Sequence, residues 1–316
     1  MQPRSFWGSY YMNRSFLTRF AWISIAAAVA TILLKSGAYM LTGSVGLLSD
    51  AIESLVNLIG GIMALAMLTV AARPADEEHQ HGHSKAEYFS SVVEGTLILA
   101  AAASIALAAT ERLISPRPLE QIGVGLAISI GASFINLCVA ILLVRAGKKY
   151  NSITLEANAQ HLFTDVWTSV GVVAGVGAVA LTGWQRLDPL VAILVAANIV
   201  WTGVGIVKRS ISGLMDAALT PEDLNAVKKV LQTHEAEGIQ FHALRSRQAG
   251  SRKFVTVHVL VPGDWSVQRG HQLVDRIESE IRTVLPDSII TTHLEPLEDS
   301  ASWDDEPLER KSSDSL

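Results

Sequence analysis

LEANAQHLFTDVWTSVGVVAGVGAVAL, residues 155–181, is apolar and long enough to cross a bilayer, yet its first half carries His161 and Asp165 with three residues between them. On a helix those side chains stand one turn apart on the same face, where one cation meets both. An imidazole and a carboxylate are costly in hydrocarbon unless they are paired or line a wet cavity, so ionisable residues at that depth mark ion pathways. A structural His–Asp hydrogen bond joining two helices is the plainer alternative.

The rest of the composition agrees with a membrane chain. Of 316 residues, 49% are hydrophobic and 17% charged, too apolar a balance for an ordinary soluble protein. The apolar content ends near Asp216, and the chain beyond it has soluble composition. The single cysteine, Cys138, lies in an apolar run and excludes an intramolecular disulfide. A net charge of -5 argues against a nucleic-acid partner. The first 19 residues are polar, aromatic and basic, and read as a cytoplasmic arm rather than a cleavable leader.

Six stretches approach the ~20 residues that a hydrocarbon core of ~30 Å requires: 20–41, 45–72, 88–111, 119–144, 155–181 and 187–207. The connections after the first, third and fifth hold few basic residues, among them Arg117 and Arg186. Most lie in the arm (Arg4, Arg14, Arg19), the second connection (Arg73, Lys85), the fourth (Arg145, Lys148, Lys149) and the exit from the sixth (Lys208, Arg209). The positive-inside rule then places both termini in the cytoplasm. Lys35, in the first span, is expected to snorkel to the outer interface, with pairing to a nearby carboxylate as the alternative.

The second span contains Asp50, Glu53, Ser54 and Asn57. Helical rise sets Glu53 roughly 14 Å and Asn57 roughly 20 Å below the outer boundary, while His161 and Asp165 lie roughly 12 and 18 Å from the inner one. The antiparallel pairs coincide in depth, so Glu53, Asn57, His161 and Asp165 can meet near the midplane as a four-ligand site for a divalent cation. The alternative is that Glu53 bonds a neighbouring helix and Asn57 is a packing amide. Asp50, one turn further out, is a relay candidate on the exit path or a helix cap. The small residues Gly60, Gly61, Gly171 and Gly175 allow close helix approach and carry little functional information.

Between the second and third spans the chain reads RPADEEHQHGHSKAE, residues 73–87, with Asp76, Glu77, Glu78, His79, His81 and His83 crowded together. Such a loop chelates metals or is simply a solvated connection. The soluble end predicts a helix at 221–235 capped by Thr220, a strand at 240–247, a turn at 249–252, an alternating strand at 253–261, a helix at 266–285 and a strand at 288–294. That order implies a helical layer on a three-stranded sheet. His242, His258, His271, His293 and Glu295 recur along it, although strand histidines facing solvent are usually inert. The domains expected are an arm at 1–19, a six-helix transmembrane domain at 20–210, a cytoplasmic α+β domain at 211–298 and a disordered acidic, serine-rich tail at 299–316.

Four pieces together carry a resemblance: GSVGLLSDAIESLVN (43–57), PADEEHQHGHSKAE (74–87), LEANAQHLFTDVWTS (155–169) and HLEP (293–296). The chain resembles the cation diffusion facilitator family over about residues 18–296. The resemblance implies an α-helical membrane protein with six transmembrane helices and a metallochaperone-like α+β domain. It implies efflux of zinc or a related divalent ion (Fe2+, Mn2+, Co2+ or Cd2+) from the cytoplasm by proton antiport, in a homodimer in the lipid bilayer of the inner membrane, and no enzyme activity.

By the family's pattern, His161 and Asp165 match two intramembrane ligands unchanged, whereas Glu53 and Asn57 fall where the family usually has Asp or His followed by Asp. Asp76, His79 and His83 match a loop site. His242, His258, His271, His293 and Glu295 match metal positions at a dimer interface, and Lys85 with Asp216 resembles a charge pair joining helix ends across the dimer. Asn57 lacks a negative charge and is a poorer zinc ligand, so ion preference is expected to change. A non-transporting metal-binding or scaffold partner is the second reading. An intramembrane metalloprotease would need a His-Glu-x-x-His helix, which does not occur. A passive channel would not need chelating groups at the midplane.

Overall fold

A computed structural model describes residues 14–42, 45–115, 122–184, 186–235 and 238–303. The chain divides into two compact units, Met1–Leu214 and Met215–Leu316. The division falls four residues beyond the boundary expected at 210, because the sixth helix continues to Leu214.

The first unit is a bundle of α1 (Thr18–Thr42), α2 (Val45–Ala71), α3 (Ala86–Ile114), α4 (Ile122–Tyr150), α5 (Ile153–Thr182) and α6 (Leu187–Leu214), with a short 3-10 turn at Arg14–Leu17. Among the described residues, four segments are long and apolar enough to cross a membrane: Thr18–Gly37, Ala86–Ile114, Ile130–Tyr150 and Pro189–Leu214. The other two helices, α2 and α5, are 27 and 30 residues long and carry the polar residues of the expected intramembrane site. Large apolar side chains on the outside, such as Trp22, Leu33, Phe134, Leu194 and Trp201, suit a surface bathed by lipid rather than water.

Helix α5 packs against α2, α3, α4 and α6, so what it carries is enclosed. Small residues let the partners approach. A Cβ on Gly203 of α6 would sit 3.0 Å from Leu99 of α3, and one on Gly171 of α5 3.0 Å from Val195 of α6. Polar anchors hold the ends: Thr154 Oγ1 donates to the Glu87 carbonyl at 3.0 Å, Ser152 Oγ to the Glu87 carboxylate, and Arg209 to Glu156 at 2.6 Å. Lys85 Nζ donates to the Leu214 carbonyl at 3.2 Å, placing a positive charge at the negative end of α6.

Lys35 is 7% exposed and lies within the bundle, which overturns the expectation that it snorkels outward. Its position inside agrees with the rule that an ionisable group in a span turns to the protein interior.

The second unit runs α7 (Pro221–Glu235), β1 (Gln240–Ala249), β2 (Arg252–Val261), α8 (Val267–Val284) and β3 (Ser288–Pro296). Thr220 Oγ1 accepts from the Asp223 amide and Ser266 Oγ from the Arg269 amide, so each helix starts at a capping hydroxyl. The sheet order is β1-β2-β3, β1 antiparallel and β3 parallel to β2, with α8 as the crossover. Val255, Val257, Val259 and Val261 alternate along β2 and are buried with Leu273, Ile277 and Ile281 of α8 and Val227 and Leu231 of α7. Each side chain so buried contributes about 1.5–3 kcal/mol.

Strand β1 has an irregularity between His242 and Arg245, where three steps on β1 match two on β2 and Ala243 takes a positive φ of 50°. The tail expected to be disordered from 299 is ordered at its start. A 3-10 turn spans Ser300–Trp303, Ser302 Oγ donates to the Pro296 carbonyl at 2.8 Å and Trp303 Nε1 to the Leu297 carbonyl at 3.1 Å. Composition missed it because two hydrogen bonds, one from Ser302 and one from Trp303, fix a segment whose average is polar.

Candidate metal-binding sites

The intramembrane site is built on α5, with His161 and Asp165 one turn apart and both buried. Asp165 Oδ2 accepts from Asn57 Nδ2 of α2 and, at 3.0 Å, from Asn136 Nδ2 of α4. The expected meeting of α2 and α5 at Asn57 and Asp165 is therefore present. Asn57 turns its amide nitrogen, a donor, to the carboxylate and so steadies Asp165, while its own Oδ1 is buried with no hydrogen-bond partner among the described residues. Asp50 and Glu53 lie on α2, but their side chains fall outside the described residues.

His161 faces a residue that sequence reasoning passed over. Its Nδ1 stands 3.2 Å from Glu94 Oε2 of α3, and Glu94 is fully buried. The other oxygen, Oε1, accepts from Asn158 Nδ2 at 2.7 Å, and Asn158 Oδ1 accepts from Ser24 Oγ of α1 at 2.6 Å. A Cβ on Gly60 of α2 would lie 2.9 Å from both Glu94 oxygens, so α2 lacks a side chain where the carboxylate sits. Asn57 and Gly60 are three residues apart on one face of α2, opposite Asp165 and Glu94. A signal existed: Glu94 is a lone carboxylate within an apolar run, seven residues after Glu87 and on the same face, and Asn158 precedes His161 by three.

The loop brings Asp76, His79 and His83 together, with one ligand atom of each within 4.8 Å of the others. The Asp76 carboxylate accepts from the His79 amide at 2.7 Å, and Gly82, at φ 80°, turns the chain so that His83 Nε2 comes to 3.3 Å from Asp76. The amide of His79 holds the Asp76 carboxyl below its ordinary value, aided by the His79 ring and the charge of His83 against a smaller opposing effect of burial. Asp76 thus keeps its negative charge through the neutral range.

In the second unit His242, His258 and His293 lie in one row across the sheet, since His242 is level with His258 and His258 with His293. Glu295, two residues after His293 on the same strand face, gathers them. Its oxygens are 2.8 Å from His242 Nε2, 3.1 Å from His258 Nδ1 and 3.4 Å from His293 Nε2. The donor atoms of His242, His258 and Glu295 lie within 4.8 Å of one another, a mixed nitrogen and oxygen set suited to zinc and its neighbours.

His271 does not join this cluster within the chain. It is exposed on α8 and pairs with Asp275 at 3.3 Å, because α8 covers the valine face of β2 while His258 points to the other. Asp216, expected to pair with Lys85, accepts from Arg247 at 3.1 Å within its own unit. His234, not singled out in the sequence, is buried against Glu280 at 2.7 Å and ties α7 to α8.

Known proteins match the chain along the same division. The cation efflux transmembrane domain matches residues 21–215, and the cytoplasmic domain of cation efflux proteins matches residues 219–297. An uncharacterized transporter of Synechocystis is 55% identical over 284 residues, 90% of this chain and 92% of that protein. The cation-efflux pump FieF of Shewanella oneidensis is 28% identical, covering 87% of this chain and 92% of the pump, and that of Klebsiella pneumoniae 28%, covering 90% and 95%. With both halves matched in order around an apolar bundle and an α+β unit, the chain belongs to the cation diffusion facilitator family, a family of multi-pass membrane transporters rather than of enzymes.

Proposed function

We propose that this protein exports a divalent metal cation, zinc or one of Fe2+, Mn2+, Co2+ and Cd2+, from the cytoplasm across the inner membrane in exchange for protons. The observation that carries this reading is the polar cluster of Asn57, His161 and Asp165, buried where α2 and α5 meet inside apolar helices. The ion exchanges its water for His161, Asp165 and Glu53, with Asn57 beside them and Asp50 on the outward path. Protons compete for the same groups, so their inward movement releases the ion outside.

On this reading both termini are cytoplasmic. Asp76, His79 and His83 load or sense ions, and His242, His258, His293 and Glu295 bind metal in a homodimer to which His271 contributes. Lys85 and Asp216 lie at the helix ends that the two subunits bring together.

Metal uptake into proteoliposomes of the purified protein, measured for each of the five ions under a pH gradient with Asp165→Ala as control, tests the reading. Uptake that disappears in the control supports an exporter and identifies its ion, whereas equal metal-dependent proton flux in both proteins overturns it. The neutral amide of Asn57, donated to Asp165, favours a second reading: a member that binds metal or supports a dimer without transporting. Asn57→Asp separates the two. A scaffold gains transport, while a working exporter changes chiefly in ion preference.

A further inference from the structure

Glu94 is the one strongly polar group in the middle of α3, and its burial is complete. A carboxylate there is costly unless something compensates its charge. Asn158 satisfies Oε1, but Oε2 has no hydrogen-bond partner among the described residues, although it points at His161. The 3.2 Å between Oε2 and His161 Nδ1 is not aligned as a hydrogen bond. It does match two ligands of one ion: metal–nitrogen and metal–oxygen bonds of about 2.0–2.2 Å in tetrahedral array leave neighbouring donors ~3.3 Å apart. Gly60 leaves open the space in which that carboxylate reaches between α2 and α5.

From this geometry we infer that Glu94 is a ligand of the transported cation, supplying beside His161 the negative charge that Asn57 does not provide. The inference rests on the transport reading and deepens its site. Glu94 adds a second carboxylate to that of Asp165 in a medium where uncompensated charge is expensive. Asp165 is held by the amides of Asn57 and Asn136, Glu94 by that of Asn158. A set with one imidazole and several carboxylates is harder than an imidazole-rich one, and accepts Mn2+ or Fe2+ beside Zn2+.

Uptake of Zn2+ and of Mn2+ into proteoliposomes of the full-length protein is measured for the parent, Glu94→Gln, Asn57→Asp with Glu94→Gln, and Asp165→Ala. Glutamine keeps the oxygen that Asn158 needs and removes only the charge. The expected result is a rise in KM of at least ~10-fold in Glu94→Gln, with recovery of most of it when Asn57→Asp returns a carboxylate next to Asp165. Parent-like KM in Glu94→Gln, with uptake lost in Asp165→Ala, overturns the assignment and leaves the transport reading standing. No effect of Asp165→Ala overturns the transport reading itself. A defect that Asn57→Asp does not relieve makes Glu94 a positioning residue for His161 and also overturns the assignment. If Glu94→Gln is not monodisperse, Gly60→Ala carries the same test, because its methyl lies against both carboxylate oxygens and moves the charge off His161; an unchanged KM there is decisive against a ligand.

Discussion

Glu295 shows how one side chain organises a site at the residue scale. Its two carboxylate oxygens meet three histidines from three strands, and the first of these, His242, has its ring 5.7 Å from that of Trp303. That contact supplies a built-in optical probe. If zinc binds at His242, His258 and Glu295, the His242 ring is held by the metal and the surroundings of the indole change, so titration with zinc is expected to change tryptophan emission. In Trp303→Phe the change is lost while zinc stoichiometry is kept. A full change persisting in Trp303→Phe would mean that another tryptophan reports the metal, and that the cluster around Glu295 is not where it binds. The histidines and Glu295 were legible because period-two alternation puts 293 and 295 on one face. Trp303 was not, since nothing in an acidic, serine-rich tail announces that it folds back. Glu94 was unread for a related reason: its partners, His161 and Asn158, lie more than sixty residues away, and a lone carboxylate has no meaning until the packing supplies them.

The elements were legible wherever periodicity and capping agreed. Thr220 and Ser266 marked the starts of α7 and α8, and alternating valines marked β2, so the order helix, strand, strand, helix, strand came from local signals. What local signals do not contain is register. The row of histidines depends on the pairing of β1 with β2 and on the irregularity after His242, which sequence alone leaves open. The layer of helices fixes that register from behind. Ile277 of α8 is fully buried in the same core as Val255, Val257 and Val259, and Ile277→Ala is expected to remove about 2–5 kcal/mol from the stability of this unit. Hydrogen exchange of β2 amides in the full-length protein checks it: faster exchange across β2 with unchanged α1–α6 is the expected pattern, and unaltered β2 protection would show that α8 does not secure the strand.

At the scale of the whole molecule, the donors sort into three groups with different exposure, and that ordering bears on how they work. The intramembrane group is buried, the Asp76 loop is open to water on two of its three side chains, and the sheet cluster is half-buried. A buried site suits an ion that must shed its water and leave on one side only, whereas open sites exchange freely with the surrounding water. His271 is left apart from all three: it is exposed on α8, on the opposite layer from the other histidines, and meets only Asp275 among the contacts described for it. A histidine so placed is accessible to another copy of the chain. If the protein works as a homodimer in this way, zinc strengthens the association of subunits, and His271→Ala removes that strengthening while the in-chain set of His242, His258 and Glu295 continues to bind. Sedimentation of the detergent-solubilised protein with and without zinc reads both effects, since mass reports association and bound zinc reports occupancy. Zinc-dependent association that survives His271→Ala would assign the dimer contact to other groups, and would leave His271 as a solvent-facing partner of Asp275 and nothing more.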